Sequence, residues 1–408
     1  MKKKIVLFSF WLLLAHNALG SKNIFFDAIS AFFSPKKPLT VIVYMAARND
    51  LHSFIFDDLS EMEKVGSTSY LNILVYLNAL SPEQEKITRK LVIHKGHTTQ
   101  YGPDKSKDSG DAQTVIDACK WAIKHYPSDQ FVLIFWNHGS GSLNRNPRSV
   151  CYDDATGNYL TDYDIKFALK EVTRLLGKKI DIVAFDACLM ADLEIAYMLR
   201  EYAQYIVASQ ELVPGKGFGY DLIFEYPASH RVNSYELAKI MVHAFEKEYI
   251  NETQEYTLSA LNLSKIDGIT MNNNRIAELL TRALETKDSN VALIAAALAE
   301  CTCFDKKYMD LYHFYQNIQK LLTQFNLSAP DKKNLNELLE EGFDLIKRAT
   351  VDYVHGNLYP NSHGLSLYFD PIAMDSTYPT TLWAQDTHWI KFLTTYYAMK
   401  TNPAVQPA

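Results

Sequence analysis

From Leu39 onward, short runs of nearly continuous apolar residues alternate with longer stretches in which apolar residues recur every three or four positions. The runs at 39–45, 72–77, 90–94, 131–136, 180–185, 205–208 and 258–263 read as strands, and the stretches at 50–64, 112–125, 162–176 and 189–202 read as helices. The run Phe131-Val132-Leu133-Ile134-Phe135 has no polar face, the mark of a strand covered on both sides. Strands alternating with crossover helices make an open α/β sheet, here spanning 39–264. After about residue 264 the texture becomes helix upon helix (275–285, 291–300, 308–322 and 335–348), so 265–408 is expected to be mainly helical. One late apolar run, 364–369, is expected to return to the sheet as a strand. No repeat, low-complexity tract or long linker divides the chain, which favours one elaborated domain over two modules.

The N-terminus has a different pattern. Lys2, Lys3 and Lys4 precede an apolar run at 5–15, and Ala18-Leu19-Gly20 offers small residues for cleavage, so 1–20 reads as a signal peptide. The run falls short of the ~20 apolar residues a spanning helix needs, and no Cys follows it to carry a lipid. Residues 21–38, with an apolar patch at 24–33, read as a pro-segment or linker. Export to the periplasm or the exterior, without a membrane anchor once the signal is removed, is the expectation, and the protein is expected to be a monomer.

Composition narrows the function classes. With 48% apolar residues in 408, the chain can bury a large core. A net charge of -6 leaves no basic footprint for phosphate backbones, so nucleic acid is not an expected partner. Five cysteines are too few for a disulfide scaffold, and the odd number leaves at least one thiol unpaired.

In open α/β sheets, chemistry gathers beyond the carboxyl ends of the strands. Two strand ends stand out: 131–136 runs into Asn137-His138-Gly139-Ser140-Gly141, and 180–185 runs into Asp186-Ala187-Cys188. A crossover one helix long makes these strands neighbours, which sets a base and a thiol at one edge. Cys188 also precedes a predicted helix, whose N-terminus favours a thiolate. Backbone N–H groups of Gly139 and Cys188 then suit an oxyanion hole. Singly, a Cys is most often a small core residue and a His a surface group; their joint placement argues for catalysis.

Other candidates lack partners. Cys119 falls on the apolar face of its helix, and Cys301 and Cys303, two residues apart, form an awkward pair for a bridge. His363-Gly364 precedes a strand and is expected at the opposite end of the sheet if that strand is parallel. His94 and His97 have no third ligand nearby and no His-Glu-x-x-His helix exists, so a metal hydrolase is not expected. Ser140 and Ser142 sit in no Gly-x-Ser-x-Gly elbow, and the Gly-rich stretch 214–219 lacks the ending of a phosphate loop.

Four segments together carry a resemblance: Phe135-Trp136-Asn137-His138-Gly139-Ser140-Gly141; Asp153-Asp154 with Tyr159-Leu160-Thr161; Asp186-Ala187-Cys188-Leu189-Met190; and Ser362-His363-Gly364-Leu365-Ser366-Leu367-Tyr368-Phe369. They resemble the clostripain family of cysteine peptidases. The resemblance implies a caspase-like fold, a mostly parallel sheet sandwiched by helices with a helical C-terminal subdomain. It implies a secreted cysteine endopeptidase with a catalytic dyad of His138 and Cys188, acting on peptide or protein substrates after basic P1 residues.

Asp186 matches the family's acid in the P1 pocket. Residues two apart on a strand point the same way, so Asp186 and Cys188 suit one cleft; a helix cap is the alternative role. Glu211 and the loop 214–219 are expected to wall the pocket, although Lys216 departs from the acid that relatives carry there and leaves Asn open as a P1 residue. The polar stretch 144–149 matches a loop that family members cut in themselves, with Arg145 and Arg148 as candidate sites and an uncut surface loop as the alternative. The resemblance also raises calcium, for which Asp57, Asp58, Asp153 and Asp154 offer oxygens, but EF-hand spacing is absent; no other cofactor and no metal site is expected. A rival reading is a non-catalytic peptide- or glycan-binding protein on the same scaffold.

Overall fold

The computed structural model describes residues 36–143 and 150–401. The expected signal peptide, the segment 21–35, and Arg145 and Arg148 lie outside the described residues.

The strands are β1 (Lys37–Ala46), β2 (Leu71–Leu80), β3 (Lys86–His94), β4 (His97–Gln100), β5 (Ser128–Trp136), β6 (Val150–Asp153) and β7 (Asn158–Leu160). They continue as β8 (Ile180–Asp186), β9 (Ala203–Ala208), β10 (Thr257–Asn262), β11 (Cys303–Phe304), β12 (Tyr308–Asp310), β13 (Thr350–His355) and β14 (Ser366–Tyr368). The helices are α1 (Ile55–Val65), α2 (Ala112–His125), α3 (Asp162–Leu176), α4 (Leu193–Leu199), α5 (Tyr220–Glu225) and α6 (Ser234–Tyr249). The C-terminal ones are α7 (Ile266–Thr286), α8 (Ser289–Ala299), α9 (Leu311–Leu321), α10 (Ala329–Ala349), α11 (Leu382–Asp386) and α12 (Trp389–Lys400).

Nine strands form the central sheet in the order β13-β10-β9-β8-β5-β1-β2-β3-β4. The five middle strands, β9, β8, β5, β1 and β2, are parallel, and antiparallel strands extend the sheet at both ends. Along β1, Val41, Val43 and Met45 face one layer while Ile42, Tyr44 and Ala46 face the other, which is why the sequence shows no polar face. The first layer holds α1, α5 and α6. The second holds α2, α3, α4 and the C-terminal helices, whose Ile276, Leu280, Phe314, Leu339 and Phe392 join one core with the sheet. The C-terminal region is therefore packed into the α/β core rather than hung beside it.

Helix ends follow local chemistry. Asp111 caps α2 through Gln113 N, and Thr161 and Asp164 form a reciprocal capping box on α3, which stops at Gly177 with φ of 69°.

The strand expected at 364–369 does not return to the central sheet. Its core, β14, pairs with β12 in a separate three-stranded sheet, β11-β12-β14. The edge beside β10 is already taken by β13, an alternating Thr-Val-Asp-Tyr-Val-His run that the search for continuous apolar runs passes over. Ser366 instead donates from its N and Oγ to Ala191 O, so β14 braces the loop that follows Cys188.

Candidate active site

The sheet brings the two strand ends together as their spacing implies. β5 and β8 are adjacent and parallel, Trp136 is in register with Asp186, and Asn137 N donates to Asp186 O at 3.2 Å. His138 and Cys188 thus stand at equivalent positions, each two residues beyond that register pair. The backbones touch at Gly139: a Cβ there would lie 2.3 Å from Cys188 O and 3.1 Å from Cys188 N. Only glycine lets the His138 turn lie this close to the thiol.

Cys188 is half-buried, and its Sγ accepts a hydrogen bond from Val213 N at 3.3 Å. An N–H aimed at sulfur favours the thiolate. The helix expected from Leu189, directly after Cys188, begins only at Leu193. Asp192, four residues after Cys188, caps α4 by accepting from Ile195 N at 2.6 Å, so the thiol lies in a turn and not at a helix N-terminus. That turn is strained and stitched down. Leu189 takes φ of 65°, a conformation costing a non-glycine residue ~1–3 kcal/mol. Leu189 N donates to Glu211 O, and Ala191 N to Ser209 O, which offset that cost. Two of the other cysteines are excluded by environment: burial pushes the thiols of Cys119 and Cys151 up, and both are fully enclosed.

His138 meets a residue that the sequence reading did not single out. Asp50 Oδ1 lies 2.6 Å from His138 Nε2, with the side chains 79% and 26% exposed respectively. Asp50 opens a 3-10 turn, Asp50–Phe54, directly after β1, and Asn49 caps that turn through Leu51 N. Asn49 Nδ2 also donates to Tyr152 O, and Asn137 exchanges hydrogen bonds with Tyr152 N and Ala46 O. These side-chain amides lash the ends of β1 and β5 to β6. Asp154 stands nearby; burial, then the charge of Asp50, raises its pKa, while His138 pulls it down. The strand-end rule that found His138 and Cys188 applies equally to β1, whose end runs into Ala47-Arg48-Asn49-Asp50, so the signal for Asp50 was present.

Asp186 is buried beside the thiol turn. Its Oδ2 accepts from Phe218 N at 3.1 Å and Tyr220 OH at 2.9 Å. A Cβ on Gly217 would sit 2.8 Å from either oxygen. Burial pushes its pKa up to about 7, against the pull of those two neutral donors. Asp58, which accepts from Trp136 Nε1 at 2.6 Å, is pushed up to about 9 by burial and then by the charge of Asp186. Asp186 caps no helix here, since α4 has its own cap in Asp192.

Glu211 lies in the same ring of loops, with its carboxylate engaged by other partners. Oε2 accepts from Tyr359 OH at 3.1 Å and Oε1 from Leu212 N at 2.8 Å; it is the main chain of Glu211 that reaches the thiol turn. Lys216 does not enter the site, because its Nζ binds both oxygens of Glu252 at 2.6 and 2.8 Å. His363-Gly364 is not at the far end of the sheet. Gly364 N donates to Gln210 Oε1 and His363 N to Asp310 Oδ2, which props the Gln210-Glu211 loop from behind. Asp153 is engaged by Arg48 at 3.3 Å, and among the described residues no group of three or more His, Cys, Asp or Glu side chains is placed to hold a metal ion.

A thiol, an imidazole and an enclosed carboxylate on adjacent parallel strands are the parts of an acyl-transfer site. Comparison with known proteins points the same way. The model of the clostripain family matches residues 43–395. Clostripain from Hathewaya histolytica is 30% identical over 223 residues, 46% of this chain and 41% of that protein; the match thus spans about two fifths of the curated relative. A secreted C11 cysteine protease from Bacteroides thetaiotaomicron, solved with an irreversible peptide inhibitor, superposes with a TM-score of 0.62 at 21% identity, over 88% of this chain and 99% of that one. An inactive zymogen C11 protease from Parabacteroides distasonis gives 0.61 at 19% identity, over 88% and 99%. At such identities these likenesses show the fold.

Proposed function

The chain belongs to the clostripain family of cysteine peptidases, and on that premise we propose that it is a cysteine endopeptidase cleaving after basic residues, with Cys188 as nucleophile and His138 as the proton carrier. The observation that carries this reading is the register match of the two strand ends, with Gly139 pressed against the Cys188 backbone.

Cys188 attacks the scissile carbonyl as the thiolate, and the N–H groups of Gly139 and Cys188 receive the oxyanion. Asp50 holds the Nε2 proton of His138, which leaves Nδ1 to protonate the departing amine and then to activate water for deacylation. The reaction so written draws only on side chains and main chain. Asp186 supports the preference for Arg or Lys at P1. It is an enclosed carboxylate whose partners in the free protein are neutral, so a guanidinium or ammonium would supply the charge that burial withholds. Lys216, turned toward Glu252, leaves that position open to a cationic side chain.

Maturation by cleavage after Arg145 or Arg148 belongs to the same reading. The flanks of that stretch are pinned: Ser142 N donates to Asp192 Oδ2, Tyr308 OH to Ser140 O, and Leu143 N to Tyr308 OH. Intact mass spectrometry of active protein showing one unbroken chain would remove this element and leave the rest standing. Export also rests on the N-terminal pattern; among the described residues no helix is long and apolar enough to cross a membrane. The deciding experiment is a fluorogenic panel with Arg, Lys, Asn and Asp at P1, run on wild type and Cys188→Ala. Cleavage of the Arg and Lys substrates that vanishes in the variant is expected; failure of every substrate with folded, processed protein overturns the assignment.

A further inference from the structure

A cavity of about 490 Å³ lies between α1 and the β2–β4 hairpins, with His52 of the 3-10 turn that follows β1 in its lining. Its wall is mainly apolar: Ile55, Phe56 and Leu59 from α1, and Leu77, Ile87 and Leu91 from the strands. Much of its polar lining is already occupied. Arg89 binds both oxygens of Asp104, Thr98 donates to Glu63, Gln100 donates to Gly102 O and Asp104, and Ser81 Oγ accepts from two backbone N–H groups. What the groove offers an occupant is therefore apolar surface. Phe56 stands at its mouth, 68% exposed and edge-on to His52.

The 3-10 turn Asp50–Phe54 links the groove to the proposed catalytic rim. His52 lines it, and Asp50, two residues earlier in the same 3-10 turn, contacts the imidazole. Strand order gives the direction: Cys188 follows β8, His138 follows β5, Asp50 follows β1, and the groove lies over β2 and β3. In acyl transfer the acyl fragment stays on sulfur, while the amine leaves past the group that protonates it. The departing half of the substrate must then run from the imidazole toward β1 and β2. In the sheet β2 lies two strand spacings of ~4.8 Å from β5, a span of about two or three residues of extended chain at ~3.3 Å each, which brings the second or third residue toward the groove.

We infer that this groove is a subsite that reads an apolar side chain on the leaving-group side of the substrate, two or three residues after the scissile bond. The inference rests on the peptidase reading and deepens it: the enzyme selects an apolar residue downstream as well as a basic residue at P1.

The test uses full-chain protein and two kinds of substrate. Internally quenched peptides carry Arg at P1 and either Leu or Ser at the first, second or third position after it, and an Arg-aminomethylcoumarin conjugate has no residues there. A Leu-over-Ser ratio in kcat/KM of about tenfold or more at the second or third position is expected, the range an apolar pocket gives one side chain. Phe56→Ser, a change at an exposed position, should bring the ratio to about one, and Phe56→Leu should keep it. If the coumarin substrate is cleaved but the ratio is near one at all three positions, the groove has another occupant and this inference alone falls. A preference that survives Phe56→Ser also overturns it. If wild type cleaves no substrate of either kind, the peptidase reading fails first and this falls with it.

Discussion

On the thiol side of the rim the main chain does the positioning, whereas on the imidazole side one exposed carboxylate does it. The Cys188 turn is held by Leu189 N to Glu211 O, Ala191 N to Ser209 O and Ser366 N to Ala191 O, all between buried residues, and by Val213 N to the half-buried sulfur itself. His138 is held by Asp50, which is 79% exposed. Backbone hydrogen bonds in a buried ring are insensitive to salt and to single side-chain changes, while an exposed ion pair is worth at most ~1 kcal/mol and is screened. The thiol wall is therefore expected to be rigid and costly to alter, and the imidazole wall tunable.

The largest effect should come from removing the sulfur. Cys188→Ala should lower kcat by about 10⁴-fold or more in the coumarin assay, with melting temperature close to wild type; activity within tenfold of wild type would move the nucleophile elsewhere. Next is Asp186→Asn, expected to reduce kcat/KM for Arg substrates by about 10²–10³-fold and to leave Asn substrates little changed. The same residue sets a pH dependence. Burial places its pKa at about 7, so the ionised form that the proposed P1 role requires fades as pH falls below 7. KM for Arg substrates should rise by up to about tenfold per pH unit below 7, a limb that Asn substrates and Asp186→Asn lack.

Gly139→Ala tests the contact that joins the two walls. A Cβ 2.3 Å from Cys188 O forces the turns apart, with an expected loss of about 10²-fold in kcat and little change in KM. The smallest effect should follow Asp50→Asn. A loss of about tenfold in kcat and a wild-type rate that falls with added salt would show the tunable wall. A loss as large as that of Cys188→Ala would show instead that both walls are equally essential.

The identity of the two catalytic candidates and the class of fold were legible in the chain, because both depend on local pattern. Apolar runs with no polar face imply strands covered on both sides, and one-helix crossovers make successive strands neighbours, so His138 and Cys188 had to share an edge. Asp186 was singled out by the family resemblance, with which its spacing of two from Cys188 agrees. The remainder depends on contacts between distant segments, which no window of sequence contains. Asp50 finds His138 only because β1 inserts between β5 and β2, far out of chain order. The 366–368 strand was recognisable as a strand, yet its partner was settled by competition: β13 occupies the edge beside β10, and β14 goes to β12 and the thiol loop. Lys216 and Glu211 carry charges suited to a pocket wall, but side-chain direction is set by the nearest complementary group, Glu252 for one and Tyr359 for the other. Sequence by itself thus determined which residues stand at the ends of the strands; only the tertiary structure decided which of them turn toward the cleft, because that choice belongs to partners brought together by folding.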